Sequence, residues 1–418
     1  MKAFFPKSTI SGKAAALPSK DYTIRALMCA ALARGESLIR NPLKSDDTAA
    51  ATGVLTRVGA RIAEDKTDWR VTGSELKTPS GGLFCRESVA TLQFMTAISS
   101  VVPSTTRLVT SPSLIGQPTQ LLLDALTKLG VVCRLEGGAV VVDSDRLIGG
   151  EIKLGFDINT QYVSALLLVA ALAEKGLVVE FSAPPLQPSC VLMTLECLRL
   201  FGIHVQSSPD LTRLRIAPQS YMPATYQVEG DWLQASYLLA LGALAGEMLV
   251  TNLNAESLQS ERAFINMLQK MGVRFSQRGG SVMVSRSYLR AINIDLGEAI
   301  ELLPAISVLA AMAVGESEIR GISNERLKES GYVGIICEEF GNLGIRTAVG
   351  EDSLKIIGGQ PKGKVIDTRS DGHLGVAFAV LGAAIGDVTV LGTEGMDKVF
   401  PDFWRAFRDW GGKVELKD

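Results

Sequence analysis

The sequence predicts an α/β fold built from six copies of one unit, gathered into two lobes of three. Three observations predict it. First, a helix-like stretch that ends in a hydrophobic residue, then Gly, then a strand-like run recurs six times. The copies are VLTRVGARI at Gly59, LLDALTKLGVVCRL at Gly130, LECLRLFGIHV at Gly202, INMLQKMGVRF at Gly272, EEFGNLGIRTAV at Gly344 and AFRDWGGKVEL at Gly411. Neighbouring glycines stand about 70 residues apart, which is room for several helices and strands per unit. Second, each period carries one long apolar helix rich in small residues. Third, the Pro-containing stretch APQSYMPATYQ separates the third unit from the fourth, and is the expected hinge.

The order within a period follows from local chemistry. A strand leads into the apolar helix, then come a strand, a second helix and the Gly-terminated return into a strand pair. The glycines mark places where a helix stops and feeds a strand within two residues. Such a turn passes through left-handed backbone, which Gly adopts without steric penalty. The apolar helices are YTIRALMCAALARG, SVATLQFMTAIS, TQYVSALLLVAALAEKG, LQASYLLALGALAG, ELLPAISVLAAMAVG and HLGVAFAVLGAAIGD. Their long apolar stretches predict burial against sheet and other helices. Several begin just after Ser, Thr, Asn or Asp, as N-caps require. Two pseudo-symmetric lobes with a cleft between them is the economical arrangement.

Composition excludes several classes. The chain has 418 residues, 47% hydrophobic and only 6% aromatic, so its core is aliphatic. A net charge of −2 leaves no basic footprint for nucleic acid. Runs such as SALLLVAALA are too short to span a bilayer, and no apolar leader precedes KSTISG. Six cysteines without metal-ligand or CxxC spacing read as free thiols of a cytoplasmic protein. Only two histidines, His204 and His373, argue against a zinc site or a Ser-His-Asp hydrolase.

Local motifs then become specific. PSKDYTIRALMCAALARGESLIRNPLKSDDT resembles the opening of 5-enolpyruvylshikimate-3-phosphate (EPSP) synthases, whose signature is SKSxTxRA, AALAxG and SDDT. INTQYVSALLLVAALA, VEGDWLQASYLLALGAL, IDLGEAIELLPAISVLAA, ISNERLKES and MDKVFPDFW resemble later motifs of that family in order. The resemblance implies a two-lobed enolpyruvyl transferase-like fold, each lobe three βαβαββ units in an inside-out α/β barrel. It places one lobe at residues 20–226 and the other at 1–19 plus 227–418. It implies a cytoplasmic monomer acting on a small molecule, with no metal, cofactor, nucleic acid or membrane. Those enzymes transfer the carboxyvinyl group of phosphoenolpyruvate to the 5-hydroxyl of shikimate 3-phosphate. The related UDP-N-acetylglucosamine enolpyruvyl transferases fit less well, since their loop cysteine is not evident.

The resemblance assigns shikimate 3-phosphate to Lys20, Asp21, Arg25, Asn159, Thr160, Gln161, Ser182, Glu301, Asn324 and Lys328. The residue types suit the task. Arginine binds a carboxylate bidentately, hydroxyls donate to phosphate, and a carboxylate accepts from ring hydroxyls. Three positions depart from the family. Glu301 stands for its Asp, Asn159 for a Ser and Asp21 for another Ser. Asp21 near the substrate carboxylate costs energy unless Lys20 or Arg25 neutralises it or one of the two is protonated. Lys20, Gln161, Glu329 and Lys398 persist from the catalytic surroundings.

The phosphoenolpyruvate side reads as replaced. Val89 stands for a loop glycine, and Gln93, Gln117, Tyr332 and His373 stand for four arginines. Losing one buried ion-pair partner costs roughly 3–5 kcal/mol. The expectation is therefore an enzyme that works without phosphoenolpyruvate. It would be a lyase expelling phosphate from shikimate 3-phosphate by 1,4-elimination to a dihydroxycyclohexadiene carboxylate, as in a cyclohexanecarboxylate pathway. Glu301 or His373 is the favoured base, with Lys20, Lys328, Glu329 and Lys398 around the reacting atoms. The rivals are a genuine carboxyvinyl transferase and a non-catalytic ligand-binding homologue.

Overall fold

The computed structural model describes residues 1–111, 119–156, 158–322 and 331–417. All six repeat glycines have left-handed backbone, with φ of +114° at Gly59, +94° at Gly130, +81° at Gly202 and Gly272, +83° at Gly344 and +90° at Gly411. Each lets a helix end and a strand begin, which is why the pattern repeats in the sequence.

Among the described residues the strands form six four-stranded sheets of one topology. In one of them Gly150–Leu154 pairs parallel with Leu177–Phe181. The latter pairs antiparallel with Arg213–Ile216, which pairs with Gln206–Ser207. The parallel pair is joined by the Thr160–Ala170 helix, a right-handed crossover's usual content. The antiparallel strands are fed by the Pro188–Leu200 helix through Gly202.

The chain divides into two compact units, one of Met1–Leu17 with Gly230–Asp418 and one of Pro18–Glu229. Three sheets belong to each. Three strands pair away from their neighbours in sequence. Ile10–Ala15 precedes the Lys20–Leu32 helix but pairs parallel with Gly246–Thr251. Thr225–Gln227 precedes the Trp232–Ala245 helix but pairs parallel with residues 38–40 of the Gly35–Arg40 strand. The sixth sheet closes with Lys2–Phe5 between Val388–Leu391 and Glu415–Lys417.

The stretch at residues 217–227 is not a loose hinge. Gln219 N–H donates to Ala171 O at 2.9 Å and Tyr221 O–H to Leu168 O at 2.6 Å, both within the Pro18–Glu229 unit. Its prolines stop regular structure, but neighbouring backbone takes up the freed groups.

The apolar helices fill the interiors. In one unit Val89–Ser99 packs on both Thr160–Ala170 and Lys20–Leu32. Trp232–Ala245, Leu303–Ala311 and Gly372–Ile385 pack on one another in the other, where they centre an aliphatic core. These helices are buried on nearly every face, so their sheets lie outside them. Five of the six are capped by a side chain: Ser19, Ser88, Asn159, Asp231 and Asp371 accept backbone N–H groups of the first turn. The sixth instead enters through the 3₁₀ turn Ile300–Leu302 and Pro304. No helix among the described residues is long and apolar enough to cross a membrane.

Candidate functional site

Polar groups gather where the apolar helices begin. Those starts follow the C-terminal ends of parallel strands, the end at which open α/β sheets present ligand-binding groups. The two units are taken in turn.

In the Pro18–Glu229 unit, Lys20 opens the first helix with its ammonium 3.6 Å from Asp47 Oδ2. Asp21 is half-exposed, and its Oδ1 lies 3.9 Å from Arg25 Nη1 one turn on. Arg25 is only 1% exposed. Its Nε donates to Thr194 Oγ1 at 2.9 Å, Nη1 to Asp21 O at 3.1 Å and Nη2 to Cys190 O at 3.5 Å. The guanidinium also sits 5.5 Å from the centroid of Phe94. The carboxylate that looks out of place in the sequence is thus balanced by a buried arginine.

Asn159 is exposed and caps the third apolar helix, its Oδ1 accepting Gln161 N–H at 2.9 Å. Thr160 is buried and Gln161 half-buried beside it. Ser182 follows the Leu177–Phe181 strand, and its Oγ accepts Phe156 N–H at 3.2 Å. The parallel register of Leu154 with Phe181 therefore brings Ser182 to the end of the sheet from which this helix starts. At the second apolar helix Ser88 is the cap, Val89 is half-buried, and Gln93 is 3% exposed. Gln93 Oε1 has no hydrogen-bond partner among the described residues. Arg86 precedes the cap in left-handed backbone at φ +52°, its Nη1 4.0 Å from Asp46 Oδ1.

In the other unit, the candidate residues lie on five elements. Asp371 caps the Gly372–Ile385 helix with Oδ1 on Leu374 N–H at 2.9 Å. Its Oδ2 accepts the Tyr332 hydroxyl at 3.1 Å. Tyr332, 6% exposed, opens the Tyr332–Asn342 helix. His373 is half-buried, and its Nδ1 lies 3.1 Å from the Tyr237 hydroxyl on the Trp232–Ala245 helix. Burial pushes that hydroxyl's pKa well above its ordinary value, and Tyr332, Asp371, Glu301 and Asp231 push it further. Glu301 is half-buried in the 3₁₀ turn before Leu303. Lys398 is exposed in the short Met396–Val399 helix. Gln117, Asn324, Lys328 and Glu329 lie outside the described residues.

Sequence reasoning did not single out Tyr237, Asp371 or Thr194. The signal for Tyr237 was present: a lone phenol in the buried aliphatic run ASYLLALGALA. Asp371 was legible as the cap just before HLGVAF. Thr194 was not, because its partner Arg25 is distant in sequence. Among the described residues no cluster of His, Cys, Asp and Glu could hold a metal ion. A surface hollow of about 470 Å³ lined by Leu38, Asp65, Lys66, Thr67, Asp68 and Arg70 includes none of the candidate residues.

Six such units, with polar groups at the helix starts, define the enolpyruvyl transferase class. The sequence profile of the family described as EPSP synthase (3-phosphoshikimate 1-carboxyvinyltransferase) matches residues 5–407, and the chain belongs to that family. It is 40% identical over 416 residues to a 3-phosphoshikimate 1-carboxyvinyltransferase of Dehalococcoides mccartyi (strain BAV1), covering 99% of each chain. It is 34% identical over 430 residues to one of Halobacterium salinarum (strain R1), covering 99% of this chain and 100% of that one. Among solved structures, an EPSP synthase of Acinetobacter baumannii matches with a TM-score of 0.88 at 21% identity, covering 100% and 99%. The enolpyruvyl transferase NikO of Streptomyces tendae matches with a TM-score of 0.80 at 19% identity, covering 99% and 98%. At those identities the solved structures speak for the fold alone.

The relatives correct the expected reaction. The chain's likeness runs end to end with proteins named as carboxyvinyltransferases, which overturns both the phosphate-lyase reading and its elimination chemistry. The error has a physical source. The lyase reading counted guanidinium groups at aligned positions and took their replacement as loss of a substrate. Anions are also held by neutral N–H and O–H donors, so the replacement of guanidinium groups does not by itself remove a substrate.

Proposed function

We propose that this chain is a carboxyvinyl transferase acting on shikimate 3-phosphate and phosphoenolpyruvate. The observation that carries the reading is 40% identity over 99% of the chain to a relative of that name. In this reading the acceptor hydroxyl oxygen bonds to C2 of the enolpyruvyl group. The C2–O bond to phosphate breaks, and the hydroxyl proton leaves with the phosphate.

The residues support division of labour by charge. Asn159, Thr160, Gln161 and Ser182 supply neutral donors at a helix start, where the helix dipole also favours an anion. They suit the 3-phosphate. Lys20 adds a half-exposed ammonium, and Arg25 acts from behind Asp21 by keeping that carboxylate balanced. Glu301 accepts from ring hydroxyls. Lys398 and His373, with Lys328, Glu329 and Asn324, serve the reacting atoms. Val89 and Gln93 narrow the space around the second substrate, while Tyr332 and Gln117 take the places of guanidinium groups. All six cysteines are free, and burial pushes the Cys85 and Cys197 thiols up to about 12, which suits inert thiols in a cytoplasmic setting.

The test is purified protein with shikimate 3-phosphate, with and without phosphoenolpyruvate, read by phosphate release and product mass. Phosphate release and a carboxyvinyl adduct that both require the two substrates are expected. Phosphate released from shikimate 3-phosphate alone, or no turnover at all, would overturn the reading.

A further inference from the structure

The Tyr237–His373 contact is unusual in its setting. It joins the second turn of the Trp232–Ala245 helix to the first turn of the Gly372–Ile385 helix, at 3.1 Å, with ring centroids 6.1 Å apart and planes tilted by 37°. Tyr237 is 1% exposed, and among the described residues the partner of its hydroxyl is His373 Nδ1. A buried phenol surrounded by Asp371, Glu301 and Asp231 keeps its proton, because a phenolate there would face like charges in a poorly solvated place. Among the described residues Nδ1 is the acceptor within reach of that proton, at 3.1 Å. A neutral imidazole that accepts at Nδ1 carries its own proton at Nε2. The helix start that bears His373 is itself fixed, since Asp371 accepts both Leu374 N–H and the Tyr332 hydroxyl.

We propose that Tyr237 is a positioning residue that holds His373 as an Nε2–H donor toward the anionic group of the enolpyruvyl substrate. The ligand side of this proposal rests on the transferase reading. The tautomer side does not. A histidine held this way supplies a directed donor where a guanidinium would supply a permanent charge. It can also gain a charge by protonation, as an arginine cannot lose one.

The chain has only two histidines, so both can be observed by nitrogen-15 NMR of the labelled full-length protein. A His204→Gln variant assigns them. His373 is expected with Nδ1 unprotonated and Nε2 protonated, and Tyr237→Phe is expected to release that bias into a mixture of tautomers. Tyr237→Phe keeps the packed ring, and its melting temperature checks that it folds. In kinetics, Tyr237→Phe should raise KM for phosphoenolpyruvate about tenfold, as for one lost oriented hydrogen bond, while KM for shikimate 3-phosphate stays within about twofold. In a His373→Ala background the same change should have no further effect. An unaltered His373 tautomer in Tyr237→Phe sinks the positioning role. An equal effect of Tyr237→Phe with and without His373 also sinks it. If the protein turns over neither substrate, the tautomer measurement still decides the positioning role. The response of the His373 Nε2 signal to added phosphoenolpyruvate then decides the ligand: a shift supports it, and no shift overturns it.

Discussion

Arg25 and Tyr237 stand at the same place in their repeats. Each is the sixth residue of the apolar helix that opens its set of three, in Lys20–Leu32 and Trp232–Ala245. Each is 1% exposed, and each reaches to another helix of its own unit, Arg25 to Thr194 and Tyr237 to His373. The scaffold fixes where the sixth side chain goes; the side chain decides what that place does. Arg25 seals a permanent charge with donors turned to Thr194 and to two backbone carbonyls. Tyr237 offers one neutral hydroxyl to a group that can change its protonation. One unit therefore holds charge as structure, and the other holds a hydrogen-bonded phenol and imidazole.

The largest expected effect breaks the first half of that contrast. Arg25→Met removes the cation and its hydrogen bonds but keeps a long apolar stem. Loss of hydrogen bonds to a charged group should cost about 2–4 kcal/mol of unfolding free energy, measured by urea titration. An unchanged midpoint would mean that the buried arginine is not a structural strut. A drop in shikimate 3-phosphate affinity out of proportion to the loss of stability would instead place it in direct contact with the ligand.

Gly130 and Gly344 compare the two units at another repeated position. At Gly344, φ is +83° and an added Cβ meets nothing within 4 Å, so Ala there isolates the backbone cost of about 1–2 kcal/mol. At Gly130 the same change also brings a Cβ to 2.9 Å from Ile148 Cδ1. Gly130→Ala should therefore melt lower than Gly344→Ala. Equal melting temperatures would show that Ile148 yields freely and that conformation alone preserves these glycines.

Tyr332→Phe tests the second half of the contrast. It removes one hydroxyl from Asp371 and leaves the ring in place. The expected loss is about 1 kcal/mol in thermal unfolding, smaller than for Arg25 because a neutral hydrogen bond is lost. A loss as large as that of Arg25→Met would mean that the Tyr332–Asp371 contact is as much a structural keystone as the buried guanidinium.

Much of the fold was legible because its periodicity is written in the residues with the fewest conformational alternatives. The six glycines had to be glycine, or pay strain, at every helix-to-strand return. Ser, Thr, Asn or Asp just before several apolar runs marked helix starts, because a cap needs a short side chain with an acceptor, as Asn159 shows. Strand exchange was legible only through the family resemblance, which assigns residues 1–19 to the later lobe, and not in the residues themselves. Ile10–Ala15 pairs with Gly246–Thr251, and no local pattern reports a partner so far along the chain. The burial of Arg25 was hidden for the same reason. Its satisfaction comes from Thr194 and Cys190 on a distant helix, whereas the sequence shows only a charge in an apolar run. The reaction was misread because residue-by-residue replacement records lost charges and not contacts between distant residues, such as Tyr237 with His373.

The smallest effect lies at the surface and gives the contrast its control. Glu394 accepts hydrogen bonds from the Ser370 hydroxyl and from the Met1 amino group. The Ser370 bond first, then backbone hydrogen bonding and the amino group, hold its carboxyl down to about 2 from the usual 4.5. A depressed folded-state value means that this stabilisation is full above about 4.5 and is lost as pH falls toward and through about 2. Glu394→Gln should therefore lie below the parent protein in stability near neutral pH and converge on it in acid. The side chain is 52% exposed, so solvent and ions weaken the interaction. Raising the salt concentration should shrink the gap between Glu394→Gln and the parent, while the gap between Arg25→Met and the parent should hardly move. If salt erased both gaps alike, the Arg25 cluster would be a screened surface pair, and the distinction between charge held as structure and charge held at the surface would fail.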